Sequence, residues 1–160
     1  MNAPRHNRRR AGGFTLVEML VSLVITSVGL LGVAKLALGT VQANDSAMMR
    51  SQATVLMQQI IENMRANRAM AVAGNYDIDF TVTPAVTDIV TTDLAAWKGL
   101  LQSELPSGDG QVKTVQETNP LTGGLEYVTT VTVRWDDTVA EASFGASAGG
   151  NQTLTAETML

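Results

Sequence analysis

The sequence predicts an α+β fold in which one long N-terminal helix packs on a small antiparallel β-sheet domain. Residues 19–34 form an uncharged and largely apolar run. Apolar residues then recur at three- and four-residue spacing over residues 40–73, which is the pattern of an amphipathic helix. In the C-terminal half, apolar and polar residues alternate over short segments, as in half-buried β-strands. A long helix followed by strands is typical of an α+β fold.

The first part of this helix has the length and hydrophobicity of a membrane span. Residues 14–34 are mainly apolar, and their number matches the roughly 20 residues that a helix needs to cross a bilayer. Basic residues precede the span and no acid comes before it, an arrangement that keeps the leading end cytoplasmic. We therefore expect a hydrophobic transmembrane helix over residues 14–38, with the rest of the chain on the outer side.

One carboxylate, Glu18, lies near the start of the apolar span. A charge at the centre of a membrane helix costs about 2.5 to 3.5 kcal/mol on insertion scales, so an acidic residue in such a span indicates a function. Glu18 lies four residues after Phe14, and Phe14 directly follows Gly12 and Gly13 at the end of a basic segment.

This arrangement resembles the processing site and N-terminal helix of a type IV prepilin. In that family a membrane-embedded peptidase cuts a short basic leader after a glycine, and the new N-terminal residue is then methylated. A glutamate four residues further on acts in subunit assembly. The resemblance implies a type IV pilin-like fold, a leader over residues 1–13, cleavage after Gly13, N-methylation of Phe14 and an assembly role for Glu18. The alternative interpretation is an ordinary signal anchor with a chance glutamate.

The charge distribution argues against nucleic-acid binding. The formal net charge is −4, but four of the 11 Lys and Arg residues lie within residues 1–13, which contain no acid. Without that segment, 7 basic residues stand against 15 acidic ones, a net charge of −8. A chain this acidic lacks the basic surface that recognises nucleic acid.

The residue inventory also argues against an enzyme. The chain has no cysteine, and its single histidine, His6, lies in the basic N-terminal segment. The remainder therefore lacks a thiolate, an imidazole base and the commonest transition-metal ligands. Asp77, Asp79 and Asp88 do not have the spacing of a calcium-binding loop, so we interpret them as exposed loop acids. We expect no catalytic residue, no cofactor and no metal site.

Residues 39–74 are predicted to continue the helix as an amphipathic segment. No proline interrupts residues 14–73, so we predict one continuous helix that Gly74 ends. Glu62 and Arg65 are expected to form an exposed ion pair one turn apart. The predicted buried stripe consists of Ala53, Leu56, Met57, Ile60, Met64 and Ala71.

Two features of this helix refine the resemblance. The phrase Met64-Arg65-Ala66-Asn67-Arg68, followed by Gly74-Asn75-Tyr76, resembles the PilV-type minor pilins, which modify or assemble pili. Major pilins commonly carry a helix-breaking proline in their N-terminal helix, whereas this chain has none between Pro4 and Pro84. The comparison favours a minor subunit. An ordinary solvated basic face would also account for Arg65 and Arg68, and we assign them no binding role.

Residues 75–138 are predicted to form the α+β domain outside the membrane. Residues 75–92 connect the long helix to the rest, with strand-like pieces at 78–83 and 88–91. Asp93 is the predicted N-cap of a short helix. The residues expected on the buried side of that helix are Leu94, Trp97, Leu100, Leu101 and Leu105.

A β-hairpin is predicted for residues 111–118 and 126–135, after a turn at residues 107–110. Residues 139–160 begin rich in Ala, Gly and Ser and are predicted to be a flexible tail, in which residues 152–158 have the pattern of an added edge strand. The hairpin face expected to pack on the long helix carries Tyr127, Thr129, Val131, Val133 and Trp135.

The resemblance implies a minor pilin subunit that takes part in type IV pilus assembly after cleavage by prepilin peptidase. Its implied partners are other major and minor pilins, the prepilin peptidase/methyltransferase and the inner membrane, with the domain in the periplasm and the subunit incorporated into the pilus. The alternatives are a minor pseudopilin of type II secretion and a signal-anchored periplasmic binding domain. A membrane-tethered hydrolase is disfavoured because histidine and cysteine are missing after the leader.

Overall fold

The computed structural model describes residues 13–121, 123–137 and 151–159. It contains three helices in that part of the chain, α1 (Leu16–Ala66), α2 (Arg68–Val72) and α3 (Ile89–Glu104). Three strands follow, β1 (Asp109–Thr118), β2 (Leu125–Asp136) and β3 (Asn151–Met159), which form one antiparallel sheet in the order β1-β2-β3. The predicted α+β fold, a long N-terminal helix packed on a small antiparallel sheet, is confirmed.

The chain divides into two compact units at Leu38. The described part of the first unit is Gly13, Phe14, Thr15 and the beginning of α1. The second unit contains the remainder of α1, the two short helices and the sheet. Of the predicted leader, only Gly13 is among the described residues.

The long helix ends at Ala66, so the prediction of one continuous helix to residue 73 is wrong beyond that point. Asn67 leaves helical geometry, with φ −115° and ψ 44°. Its side-chain amide donates to the hydroxyl of Tyr76 (3.0 Å), which donates in turn to Asp93 (2.8 Å). Asparagine competes with the helix in this way because its short polar side chain offers alternative hydrogen bonds. The chain then makes one more helical segment, α2.

The helix α3 begins at Ile89, five residues earlier than predicted, and its N-cap is Asp88 instead of Asp93. The Asp88 carboxylate accepts from the N–H of Thr91 (2.8 Å), and the Thr91 hydroxyl accepts from the N–H of Asp88 (3.0 Å). This reciprocal pair satisfies two donors that a helix start leaves open. The predicted strand-like piece at residues 88–91 is therefore wrong, because these residues form the cap and first turn.

One hydrophobic core joins the helices and the sheet of the second unit. Every residue of the predicted stripe on the long helix is buried, and so are four of the five residues predicted for the inner face of β2; Tyr127 is half-buried. Each fully buried large apolar side chain contributes about 1.5 to 3 kcal/mol. The largest fully buried side chains of the core are Trp97, Trp135, Tyr76, Ile60, Met64, Leu101 and Leu105.

Trp97 determines how closely α3 and the start of β1 approach each other. A Cβ atom added at Gly110 would lie 2.3 Å from the Cη2 atom of the Trp97 ring, so only glycine fits this position without a shift of the ring. Trp97 is 1% exposed. Strand β1 begins at Asp109, inside the predicted turn at residues 107–110, and passes against the Trp97 ring at Gly110.

The predicted flexible tail is wrong for Asn151–Met159, which form β3 and pair with β2 from Val128 to Asp136. The alternative that residues 152–158 add an edge strand is confirmed. Two side chains, Leu154 and Ala156, pack against the core, which explains why this segment pairs with the sheet. Arg50 donates to the Gln152 side chain (3.3 Å) and thereby links α1 to β3. Residues 139–150 of the predicted tail lie outside the described residues.

Candidate processing and assembly site

The residues singled out by the sequence lie together at the N-terminal end of α1. Gly13 and Phe14 precede the helix, and Thr15 acts at its N-cap position. The Thr15 hydroxyl accepts from the N–H of Glu18 (3.3 Å), and the Thr15 carbonyl accepts from the N–H of Met19 (3.2 Å). A threonine followed three residues later by glutamate is the sequence of a capping box, so the start of the helix is encoded locally.

Glu18 lies in the first turn of the helix and is exposed. A carboxylate there is favoured by the partial positive charge at the helix N-terminus, by about 0.3–1 kcal/mol in an exposed position. The ion pairs among the described residues involve Glu62 and Asp109 as their acids, so the Glu18 carboxylate takes part in none of them. In a low-dielectric environment it would need a cation from outside this part of the chain.

The other polar side chains of the apolar span satisfy themselves within the helix. The hydroxyl groups of Ser22, Thr26 and Ser27 donate to carbonyls four residues earlier, at 2.7 to 2.8 Å. Such back-bonding leaves no free hydroxyl donor, as a lipid environment requires. Within residues 14–34, Glu18 is the single charged side chain, and its carboxylate still requires a partner.

The apolar surface of the helix is uncovered. Every large apolar residue from Phe14 to Leu38 is at least half exposed, with Phe14 itself 81% exposed. The best 18-residue window of α1 has a mean hydropathy of 2.2, and none of it is buried. By length and composition the helix is able to cross a membrane, because 23 residues, from 16 to 38, extend about 35 Å and the hydrocarbon core is about 30 Å thick. An uncovered apolar surface of this size requires lipid or other helices around it.

Arg65, which belongs to the phrase Met64-Arg65-Ala66-Asn67-Arg68, has a local structural use. It forms the predicted ion pair with Glu62 (2.7 Å), and it donates to the Thr158 hydroxyl on β3 (3.1 Å). The Arg65 side chain is about half exposed and that of Glu62 about two-thirds exposed, so the pair is worth only about a few tenths of a kcal/mol. These contacts make Arg65 a second link between the long helix and β3.

Asp77, Asp79 and Asp88, which the sequence indicated as exposed loop acids, accept hydrogen bonds from main-chain and side-chain groups. Asp77 accepts from the N–H of Thr114 (2.9 Å), and Asp79 accepts from the Gln111 amide. Asp88 caps α3, and the N–H and hydroxyl of Thr91 lower the pKa of its carboxyl. No group of three or more metal-binding side chains occurs within residues 13–121, 123–137 and 151–159.

A partly buried ionic cluster, which the sequence did not predict, joins α3 to the start of β1 and the end of β2. Lys98 is 5% exposed and forms an ion pair with Asp109 (3.1 Å), and Arg134 reaches the other carboxylate oxygen (3.2 Å). The Arg134 guanidinium also lies 4.1 Å from the centroid of the Phe80 ring. Burial opposes ionisation of Asp109, but hydrogen bonds from Thr81, Gly110 and Lys98 outweigh it, and the pKa of Asp109 is lowered. A lone lysine among the apolar residues of a helix gives no sequence signal for this arrangement.

A second polar cluster lies where the long helix ends. Tyr76 is fully buried, and its hydroxyl contacts Asn67 and Asp93. Burial, together with the hydrogen bond to the Asp93 carboxylate, raises the pKa of Tyr76 to about 12. The phenol therefore stays protonated and donates to Asp93 at any physiological pH. These hydrogen bonds connect the end of α1 to Tyr76 and to α3.

Comparison with known proteins gives one match. Residues 8–34 match the prokaryotic N-terminal methylation motif, a segment that includes Gly13, Phe14 and Glu18. No curated protein and no solved structure matches the chain. The N-terminal segment is thus prepilin-like, its helix suits single-pass anchoring in the inner membrane, and the motif implies processing by prepilin peptidase and assembly with other pilin-like subunits.

Proposed function

We propose that this protein is a PilV-type minor pilin that takes part in type IV pilus assembly after prepilin peptidase removes residues 1–13. The observation that carries the proposal is the methylation motif at residues 8–34 placed on a helix whose apolar surface is uncovered. The domains follow from it. Residues 14–38 would form the anchor and assembly helix, residues 39–74 its amphipathic continuation, and the remainder a periplasmic domain.

Cleavage after Gly13 would create a cationic partner for the Glu18 carboxylate. The new α-amine of Phe14 would remain cationic after N-methylation, and it would lie near the same end of the helix as the carboxylate. In a bundle of packed anchors both charges lose water, and each is costly alone. We propose that Glu18 of an incoming subunit pairs with the Phe14 amine of a neighbour and thereby sets the axial position of the subunit.

Two features of the chain support a minor subunit. The long helix carries no proline, in contrast with the helices of major pilins, and the Met64-Arg65-Ala66-Asn67-Arg68 phrase resembles PilV-type minor pilins. The described part of the chain gives that phrase a physical role, because Asn67 ends α1 and binds Tyr76. The hydrogen bond between Asn67 of this phrase and Tyr76 thus lies where the chain leaves the long helix and enters the domain.

A minor pseudopilin of type II secretion is the second candidate, because the same processing site and helix would serve it equally well. A signal-anchored periplasmic binding domain is the third. Deleting the gene separates the first two, since a pilus subunit affects twitching motility or pilus number and a pseudopilin affects protein secretion. The third predicts that the leader remains attached and that the protein is absent from purified filaments.

The direct test is the mass and N-terminal sequence of the protein from membranes of cells with and without prepilin peptidase. We expect a chain that starts at N-methylated Phe14 only when the peptidase is present. A chain that still starts at Met1 in peptidase-containing cells would contradict the proposal. Recovery of the processed chain in sheared pilus fractions would then test the assignment to the pilus.

A further inference from the structure

The half of α1 that belongs to the second unit carries apolar residues on two opposite sides. One side packs against α3 and the sheet. The other side presents Val41, Met48 and Val55, which follow one another at intervals of seven residues and are 58%, 61% and 60% exposed. Ala53 and Ile60, which are fully buried, lie about 160° and 140° around the helix from Val55. We call the exposed line of Val41, Met48 and Val55 the outer seam.

Most of the outer seam lies outside the lipid. Residues 16–38 supply the length that crosses a membrane, so Met48 and Val55 lie roughly 15 and 25 Å further along the helix. Lipid tails do not reach side chains at that distance. The hydrophobic effect therefore favours a protein partner that removes the outer seam from water.

We propose that the outer seam packs against the outer seam of a second copy of this chain, as a parallel and in-register pair of helices. Two copies anchored in one membrane start on the same side of it, so their helices run in the same direction. A seven-residue repeat is the spacing at which two such helices keep one face toward each other. β-branched residues on this line, here Val41 and Val55, favour two-stranded pairing.

The residues beside the outer seam favour the in-register alignment. Asn44 and Ser51 come three positions after Val41 and Met48 and are exposed. In the in-register pair each faces its own counterpart, and two Asn44 amides satisfy each other because an amide is both donor and acceptor. A polar residue of this kind fixes the register of paired helices. A shift by one heptad would set Asn44 against Ser51 and would lose one of the three apolar layers.

The charges of α1 do not oppose the pairing. Side chains that flank such a seam meet the flanking side chains of the partner helix. The flanking residues between positions 40 and 59 are Thr40, Asp45, Ala47, Gln52, Thr54 and Gln59. Asp45 is the single charged residue among them, and in a parallel pair it meets Thr40 of the other copy, five positions earlier. The two Asp45 carboxylates therefore lie on opposite flanks, and their repulsion is avoided.

The outer seam lies on a ridge that a second helix is able to reach. A groove between α1 and α3, lined by Val55 and Leu100 among others, runs along one side of the ridge. A groove between α1 and β3, lined by Gln58 and Ala156 among others, runs along the other side. Within the described residues, α3 and the sheet thus leave the ridge uncovered, and the domain lies behind it.

The paired segment is short. From Val41 to Val55 it extends about 21 Å, or two heptads, whereas coiled coils are usually sustained over about three to four. A shared membrane compensates for the short length, because two tethered helices meet at a raised effective concentration. The pair is therefore expected in the membrane, and it is tested there.

Disulfide trapping tests the pairing in the full chain. Ser51→Cys introduces the sole thiol of the protein, because the natural chain has no cysteine. Helix axes 8–10 Å apart bring the Cα atoms of facing seam residues to roughly 4.5 to 6.5 Å, within the disulfide range of about 4.4 to 6.8 Å. Mild oxidation of membranes that contain this variant should give a covalent dimer on a non-reducing gel. The membranes come from cells without prepilin peptidase, so that the result is independent of the processing and pilus assembly proposed above.

Ala43→Cys is the matched control. Ala43 is also an exposed small residue of α1, but it lies about 130° around the helix from the centre of the seam face. In the proposed pair the two Ala43 Cα atoms are roughly 12 Å apart, which is too far for a disulfide. This variant should stay monomeric under the same oxidation.

Substitution of Met48 tests whether the outer seam itself makes the contact. In the Ser51→Cys background, Met48→Glu sets two carboxylates against each other, and we expect at least roughly threefold less covalent dimer. Met48→Leu keeps an apolar side chain and should keep the yield. Because Met48 is 61% exposed, both variants should unfold at the wild-type urea concentration.

Four results would overturn the proposal. They are the absence of a dimer from Ser51→Cys, cross-linking of this variant only to a different protein, equal dimerisation of Ala43→Cys, and an unchanged dimer yield after Met48→Glu.

Discussion

The indole N–H of Trp97 donates to the main-chain carbonyl of Leu56 at 2.9 Å, a buried hydrogen bond that joins α3 to the long helix. The other buried tryptophan, Trp135 on β2, has an indole N–H with no hydrogen-bond partner among the described residues. The two rings are equally buried but differ in this bond. They form a matched pair for measuring what the bond contributes.

Trp97→Phe should destabilise the domain by about 1 to 2 kcal/mol more than Trp135→Phe. Both substitutions remove a similar ring volume, but the first also leaves the Leu56 carbonyl without its indole donor. The second removes a buried donor that is already unsatisfied. Pulse proteolysis of the detergent-solubilised full chain along a urea series measures both free energies of unfolding. Equal losses would show that the Trp97 hydrogen bond is not a significant source of stability.

Gly110→Ala should lower the free energy of unfolding by about 1 to 3 kcal/mol, because its Cβ would meet the Trp97 ring at 2.3 Å. Gly99→Ala is the control. Gly99 lies inside α3 with nothing within 4 Å of an added Cβ, so alanine should stabilise this helix by about 0.5 to 1 kcal/mol. The two changes add the same methyl group and should have opposite signs. A Gly110→Ala protein as stable as wild type would contradict the close packing of β1 under Trp97.

The Asp109 cluster predicts a loss of stability at acid pH. The pKa of Asp109 is lowered from its ordinary value of 3.8, so the folded state holds this proton less tightly than the unfolded state. Its contribution is therefore complete above the ordinary pKa and is lost as the pH falls through the lower folded value. Asp109→Asn should cost about 1.5 to 3 kcal/mol at pH 7, since Lys98 and Arg134 lose their negatively charged partner and one of the two carboxylate oxygens that they share.

Denaturation of wild type and Asp109→Asn between pH 7 and pH 3 checks this prediction. The difference between the two proteins should shrink as the pH is lowered toward and below 3.8, because both then carry a neutral side chain at position 109. A difference that stays constant across this range would mean that the carboxylate charge is not the source of the effect.

Glu18→Gln should leave leader cleavage unchanged and reduce recovery of the protein in purified pili by roughly tenfold or more. The amide keeps the size of the side chain but removes the charge that the Phe14 amine requires. Glu62→Gln is the control, because Glu62 is an exposed acid on the same helix whose partner is Arg65. Incorporation of Glu18→Gln at the wild-type level would contradict the proposed pairing.

The sequence alone predicted what depends on local pattern. The apolar span, the amphipathic stripe, the buried side of α3 and the hairpin follow from spacing along a few turns or strands. The structure confirms them, except that Leu100 on α3 is half-buried. The candidate site is equally local. Gly13, Phe14 and Glu18 lie within six consecutive residues, and the methylation motif covers them.

The structure decided what depends on contacts distant in the chain. The residue type of Asn67 does not by itself end a helix. In the folded chain its side-chain amide donates to Tyr76, which donates to Asp93, and α1 ends there. Asp93 resembles a cap in sequence as much as Asp88 does, but its carboxylate is used by Tyr76. The position of β3 at the edge of the described sheet also depends on tertiary structure, since a strand becomes an edge only through its neighbours. The local periodicity of the sequence shows which face of a helix or strand is apolar. The partner of each polar group depends on which residues the fold brings close to it.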